Sequence, residues 1–441
     1  MRCLLPLAFA FALLHPAPAP AQNTREKKVR EDKTKVEADG YWIYNNLPKA
    51  FAEAKSSGKP MVVILRCIPC EECVKLDDEL VDKNPAIQPL LDKYVRVRVV
   101  STNGLDLSLF QYDYDQSFAC FLLNADGTIL GRFGTRSHRT NWLQDVSIEG
   151  LGKALEGGLA LHANYEKVKP SLAGKRGPAP LFPVPEKFPS LADRYTSKLN
   201  YEGNVVQSCI HCHQIGDAIK DHYRKKKEAA PEEVLFPYPH PKSLGLILDP
   251  KEMAVVKEAA KDSLAGRAGF QPGDVITSVN GQPPLSIADV QWVLHRTPAD
   301  GGTVGAVVTR GGKSVPIQLK LAKGWRQADD ISWRSSSWGL RRMGTAGMKL
   351  DSLEDRPAGV PKDGMALKVA HVGMYGGPHG AAKAAGVQIG DTLVAFDGRT
   401  DLLRETDVFT YAMREKKPGD MVPVKVVRNG RTLEMKIPMQ E

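Results

Sequence analysis

The spacing of apolar and polar positions divides the chain into stretches of different periodicity. Apolar residues recur at helical spacing from Leu47 to Lys55, and Ser56-Ser57-Gly58 ends that helix. Met61-Val62-Val63-Ile64-Leu65 follows as an unbroken apolar run, the pattern of a strand buried on both faces. Beyond it Leu76 and Leu80 share a helical face with Cys73. Tyr94 to Val100 alternates as a strand, Phe118 to Leu123 is a second, and Ala125-Asp126-Gly127 turns into a third over Thr128 to Phe133. Trp142 to His162 predicts a closing helix.

The C-terminal part is written twice. Ala268-Gly269-Phe270-Gln271-Pro272-Gly273-Asp274-Val275-Ile276 and Asn280-Gly281 return 117 positions later as Ala385-Gly386-Val387-Gln388-Ile389-Gly390-Asp391-Thr392-Leu393 and Asp397-Gly398. Each copy continues into a helical stretch, Ile287 to His295 or Thr406 to Met413. Each ends in a hairpin, around Arg310-Gly311-Gly312 or Arg428-Asn429-Gly430. Two segments carry no such periodicity. Residues 22–39 are dense in charge and predict a flexible tether, and residues 166–188, rich in Pro, Gly, Lys and Ala, predict a semi-rigid linker.

Length and composition narrow the class. A chain of 441 residues, 42% hydrophobic and 25% charged, holds about three globular domains. Arg2, the apolar run Leu4 to Leu14 and Ala19-Pro20-Ala21 make residues 1–21 a cleavable leader, too short to be a permanent span. No other run suggests a membrane span, so the mature chain is expected in the periplasm or secreted. The net charge is +9 and its densest run, Arg224-Lys225-Lys226-Lys227, reads as a solvated face. No nucleic-acid motif accompanies it.

Two cysteine clusters carry candidate chemistry. Cys209-Ile210-His211-Cys212-His213 has the spacing for covalent haem attachment, in which both sulfurs bond the porphyrin and His213 takes the iron. Half of a zinc site is the competing account and would need two further ligands. Haem c is the expected cofactor, consistent with export. His222, His240 and Met253 are the candidates for the iron's opposite side; His240 is taken, with an open or water-bound iron as the competitor. The second cluster is Arg66-Cys67-Ile68-Pro69-Cys70-Glu71-Glu72-Cys73, in which Cys70 belongs to two overlapping Cys-x-x-Cys pairs. One sulfur at a helix start would be favoured as thiolate, with Arg66 and Lys75 helping and Glu71 and Glu72 opposing. A structural disulfide or metal site is the alternative. Cys120 reads as a core residue.

Strand, Cys-x-x-Cys, helix and the strands that follow resemble a thioredoxin-like domain over residues 40–165. That family places a cis-proline where this chain has Ser117-Phe118, which weighs against general disulfide exchange. The repeated Ala-Gly-x-x-x-Gly-Asp-x-Ile segments resemble PDZ domains, over residues 242–325 and 330–441. PDZ domains receive an extended peptide as an added strand, its end held by the preceding loop. Here that loop is Ser243-Leu244-Gly245-Leu246 in the first copy. In the second it is Gly347-Met348-Lys349-Leu350, or alternatively Trp338-Gly339-Leu340. Occupation of one or both grooves by the chain itself is the competing state.

With the haem motif in residues 189–241, the whole resembles the bacterial thioredoxin-like/PDZ (seleno)protein family. The expected fold class is multi-domain, α/β and mainly β: a thioredoxin-like domain, a short c-type haem segment and two tandem PDZ domains. The resemblance implies an exported redox protein. Cys67, Cys70 and Cys73 would serve thiol–disulfide or thiol peroxidase-like chemistry with a redox partner, the haem would pass electrons, and the PDZ pair would dock a protein client or peptide C-terminus. A non-enzymatic haem-based sensor or scaffold is the alternative. A PDZ-bearing serine protease fits poorly, since no Gly-x-Ser-Gly segment is present.

Overall fold

A computed structural model describes residues 20–66, 68, 84–116, 118–138, 144–374 and 376–441. Residues 1–19 of the expected leader, with Cys67, Cys70, Cys73, Ser117 and Trp142, lie outside the described residues.

The expected tether is a helix, α1 (Pro20–Asp39). Its few apolar residues, Val29 and Val36, are seven apart and both buried. Two of its charged residues bond one distant loop. Glu26 accepts from Val205 N–H and Val206 N–H at 3.2 and 2.8 Å, and Arg30 donates to the carbonyl of Tyr201 at 2.6 Å. Asp32 pairs with the buried Arg98 at 2.8 Å. Low hydropathy suggested disorder, but side-chain bonds to a distant loop fix the helix instead.

The first sheet contains β1 (Ile43–Tyr44), then, after helix α2 (Leu47–Ser57), β2 (Met61–Arg66), β3 (Val95–Val99), β4 (Phe118–Leu123) and β5 (Ile129–Phe133), in the order β1-β3-β2-β4-β5. β2 runs parallel to β3 and antiparallel to β4. Every residue of β2, β4 and β5 is buried because apolar clusters cover both faces of the sheet. Helix α3 (Ile148–Ala163) starts at Ser147, whose hydroxyl accepts from Gly150 N–H. Leu151, Ala154 and Leu155 of α3 join one cluster.

The proline-rich stretch is packed rather than strung out. It forms the short helix Tyr165–Leu172 and buries Lys175 and Phe188 completely or nearly so. Helix α4 (Cys212–Lys225) begins inside the cysteine-histidine motif. Ile210, Cys212, Ile215 and Ala218 join Leu65, Val97, Phe110 and Phe121 in one cluster, so this segment completes the core of the first domain. Arg224, read as solvated, is buried and donates to the carbonyls of Gln440 and Lys416 at 2.8 and 2.5 Å.

Both repeats fold as small β units. The first has β6 (Leu246–Leu248) paired with β7 (Val256–Ala259), a sheet of β8 (Val275–Val279), β9 (Gly302–Arg310) and β10 (Lys313–Leu321), and helix α5 (Ile287–Arg296). The second follows helix α6 (Ser337–Thr345). It has β11 (Met348–Ser352), β12 (Leu367–Val372), β13 (Thr392–Phe396), helix α7 (Glu405–Glu415), β14 (Met421–Arg428) and β15 (Arg431–Pro438), with the strands in sequential order. The repeated Gly-Asp does the same work twice. Asp274 is clamped by Arg310 at 2.7 Å through both oxygens, and Asp391 by Arg428 at 2.7 and 2.8 Å. The second hairpin turns through Asn429 and Gly430, both with positive φ, as the Asn-Gly pair requires.

Candidate functional site

Cys209 and Cys212 are 5% and 8% exposed, and the strand ends of the thioredoxin-like sheet close over them. Ile210 is stitched to the loop that follows β3: its N–H donates to Asn103 Oδ1 at 2.8 Å, and its carbonyl accepts from Thr102 N–H and Oγ1–H at 3.1 and 2.8 Å. Tyr112 O–H reaches Cys212 Sγ at 3.1 Å. Burial pushes the Cys209 thiol up to about 12, so it is held as a neutral thiol at neutral pH. His213 stacks on His211, with centroids 5.7 Å apart and planes within 10°. Burial lowers both, His211 to about 4, and Asp115 partly offsets the effect at His213.

A porphyrin bonded to both sulfurs would need room beside them. The cavity they line with Leu65, Arg66, Ser101 and Thr102 measures about 10 Å³, whereas small-molecule sites run to roughly 300–1,000 Å³. Among the described residues, the space beside the two sulfurs is too small for a porphyrin. His240 is also engaged elsewhere: its Nδ1 accepts from Lys242 N–H at 3.2 Å and its Nε2 is 3.4 Å from Asp145. Burial lowers it to about 4. Among the described residues no cluster of three or more His, Cys, Asp and Glu is arranged to hold a metal. A larger cavity of about 390 Å³ lies between Tyr114, Phe188, Ile219, Tyr238 and Trp292, and none of the sequence-predicted site residues lines it.

The groove predicted to take a peptide in the first repeat lies between β6 and α5. The turn Pro241–Leu244 ends at Gly245, whose φ of 74° lets the chain reverse into β6. Leu244 and Leu246 are buried at the groove floor with Val293 and Leu294 of α5. Two amides of the predicted loop are already spent within it: Ser243 N–H donates to the carbonyl of His240, and Gly245 N–H to that of Lys242, both at 2.9 Å.

The mouth of this groove faces the thioredoxin-like domain. Thr135 donates to Gln291 Oε1 of α5 at 2.7 Å. Asp289 of α5 accepts from Arg132 N–H at 3.2 Å and pairs with Lys175 at 2.8 Å. Ser286 donates to the carbonyl of Arg132 and Ser147 to that of Pro250. At the loop, Lys242 Nζ meets Asp145 Oδ1 at 2.5 Å. Asp145, Thr135, Gln291 and Asp289 were not legible as site residues, because each acquires its role only from a partner far along the chain.

The second groove, between β11 and α7, is filled differently. Gly347 N–H caps α6 by donating to the carbonyl of Arg341 at 2.8 Å. Met348 and Leu350 are buried, while Lys349 pairs with Asp351 at 2.9 Å near the surface. The N–H of Leu350 donates to Glu405 Oε1 at 2.7 Å, and Arg341 grips the same carboxylate through Nη2 at 2.6 Å. Leu340 and Met343 of α6 pack with Phe409 and Met413 of α7 and with Leu235 and Phe236. Helix α6 thus stands in this groove as an apolar plug. Trp338 of the alternative loop is 42% exposed and edges onto His371.

Known proteins place these parts. A thioredoxin-like family model matches residues 42–125, and PDZ domain models match residues 255–301 and 366–439. The chain is 26% identical over 187 residues to a probable periplasmic serine endoprotease DegP-like of Pseudomonas savastanoi, covering 42% of this chain and 37% of that one. It is 36% identical over 96 residues to a probable periplasmic serine protease do/HhoA-like of Haemophilus influenzae, covering 22% and 19%. The matches span well under half of these relatives. A solved serine endoprotease from Yersinia pestis aligns at 23% identity over 22% of this chain and 30% of its own, with a TM-score of 0.15. The chain therefore joins one thioredoxin-like domain to two PDZ domains.

Proposed function

We propose that this is an exported client-docking protein in which the first PDZ unit receives the end of another polypeptide beside the thioredoxin-like domain. The observation that carries the reading is the shared border: the groove of Leu244, Leu246 and α5 opens directly onto β5 and the start of α3. A chain end entering there would be held against the thioredoxin-like domain. The leader-like N-terminus and the periplasmic naming of the relatives support export.

The chemistry proposed for the docked client is thiol–disulfide exchange. A dithiol of Cys70 with Cys73 or Cys67 would become a disulfide as a client disulfide gains two electrons and two protons to become two thiols. Haem takes no part in this proposal, since Cys209 and Cys212 are packed into the domain's core edge. A non-catalytic scaffold is the second reading, and it is favoured by Ser117-Phe118 standing in the sequence where thioredoxin-like domains place a cis-proline. The mature chain, reduced and incubated with a disulfide-linked client peptide, is expected to reduce it, and Cys70→Ser is expected to abolish the reduction. Peptide binding without reduction by either protein would select the scaffold.

A further inference from the structure

With Ser243 N–H and Gly245 N–H turned inward, the rim of the first groove offers a cation, the partly exposed ammonium of Lys242. Asp145 holds that cation. Its Oδ1 lies 2.5 Å from Lys242 Nζ, while its Oδ2 accepts from Ser137 N–H and Ser137 Oγ–H at 2.8 Å each. Lys242 Nζ also reaches Ser137 Oγ at 3.3 Å, and His240 Nε2 closes the site from below at 3.4 Å from Oδ1. One oxygen on an ammonium and the other on N–H and O–H donors is how a chain-terminal carboxylate would be bound.

The rest of the border runs along the groove in the same direction. Thr135 occupies Gln291 on the helix wall, and Asp289 and Ser286 are tied to Arg132. These contacts are polar and ionic, which a polar ligand can replace in kind, and they stand beside the apolar packing of Leu285 and Met253 on the first domain. The plug of the second groove combines the buried Arg341–Glu405 pair with an apolar face, and opening it would expose Leu340, Met343, Phe409 and Met413 together. The first groove is therefore the one that a client can enter.

Resting on the docking reading above, we propose that Asp145 is an internal competitor for the first PDZ groove. The thioredoxin-like domain occupies the carboxylate site at Lys242, and a client binds by taking Lys242 from Asp145. The ligand that fits is an extended peptide with a free C-terminal carboxylate and an apolar last side chain, because the floor beside Lys242 is Leu244 and Leu246 with Leu294 opposite. Binding would release the contacts of Asp145 and Thr135, so client arrival is transmitted to the thioredoxin-like domain.

The test uses the full mature chain and a fluorescein-labelled peptide ending in Leu-Ser-Leu, as free acid and as C-terminal amide, followed by anisotropy. Asp145→Asn removes the competing charge and is expected to bind the free acid at least about fivefold more tightly than wild type, the low end of typical coupling between sites. The amide should gain nothing. In the wild-type protein, free-acid peptide should speed hydrogen exchange in residues 134–138 and 144–147. This measurement decides the matter alone if the variant does not fold. Equal affinities with exchange unchanged overturn the competition and leave the docking reading standing. If the wild type and a folded Asp145→Asn both fail to bind, the docking reading falls, and the competition with it.

Discussion

Replacing Arg334 with methionine tests how the halves of the molecule are held together. Arg334 lies between the two repeats and is 2% exposed. Its Nη1 donates to both oxygens of Asp113 at 2.6 Å, and its Nη2 donates to the carbonyl of Pro237 at 2.7 Å. Asp115 stands 3.6 Å away and Asp329 3.8 Å. Asp115 keeps two other partners, Ser336 N–H at 2.7 Å and Ser336 Oγ–H at 2.8 Å. Among the described residues Asp113 has no other ion pair. Burial already pushes its carboxyl up, and Arg334 is the main opposing influence.

Methionine fills most of the volume but leaves Asp113 charged and buried, at a cost of about 3–5 kcal/mol for a broken buried pair. The cost must depend on pH. With Arg334 gone the Asp113 carboxyl rises further, so the folded variant keeps a proton that the unfolded chain releases above about pH 4. The penalty therefore grows as pH rises through the window between the two values. Urea unfolding followed by tryptophan fluorescence should show a larger loss near pH 8 than near pH 5. The double variant Arg334→Met with Asp113→Asn should recover much of it. A loss under about 1 kcal/mol, or one that does not change with pH, would refute the claim that this pair carries the junction.

Three further outcomes are expected. In the folded protein Cys209 and Cys212 should resist alkylation at neutral pH and react once urea is added. Rapid labelling, or a porphyrin mass on the exported chain, would show that the segment does not stay docked. Phe409→Ala, deleting a fully buried ring of α7 against which the plug of the second groove packs, should cost about 3–5 kcal/mol in urea unfolding, and a near-neutral result would mean that α6 does not fill that groove. Asp329 is raised to about 7, chiefly by burial and against the pull of Arg334, from 3.8. Its contribution to stability therefore falls as pH rises from about 4 to about 7 and is constant above, by roughly 1.4 kcal/mol per pH unit within the window. Asp329→Asn should gain on wild type across that window, and a pH-independent difference would sink the assignment.

Local pattern carried much of the fold. The run Met61–Leu65 is the central strand because five consecutive apolar residues need cover on both faces, and the duplicated Gly-Asp motifs mark the two repeats because each aspartate must meet its own hairpin arginine. What local pattern could not show is which surfaces meet. Residues 22–39 look unstructured until Glu26 and Arg30 find the loop around Tyr201 and Val205. The haem-type spacing at Cys209 and Cys212 is a statement about five consecutive residues, whereas room for a porphyrin depends on Leu65, Ser101 and Thr102, a hundred or more positions earlier. Asp145 and Lys242 are ordinary charged residues until folding brings them to 2.5 Å. The closed grooves belong to this class of fact.

The interior shared by α4 and the first sheet also bears on biogenesis. A recombinant fragment trimmed at residue 165 would lack Phe188, Leu191, Ile210 and Ile215, and would present Leu107, Phe110 and Phe121 to water. The same holds for a nascent chain, whose leading module cannot finish condensing until residues as far as Ala218 have been synthesised. Half-built intermediates of that kind are sticky, so this polypeptide is expected to need chaperone shelter early in its synthesis rather than at its end.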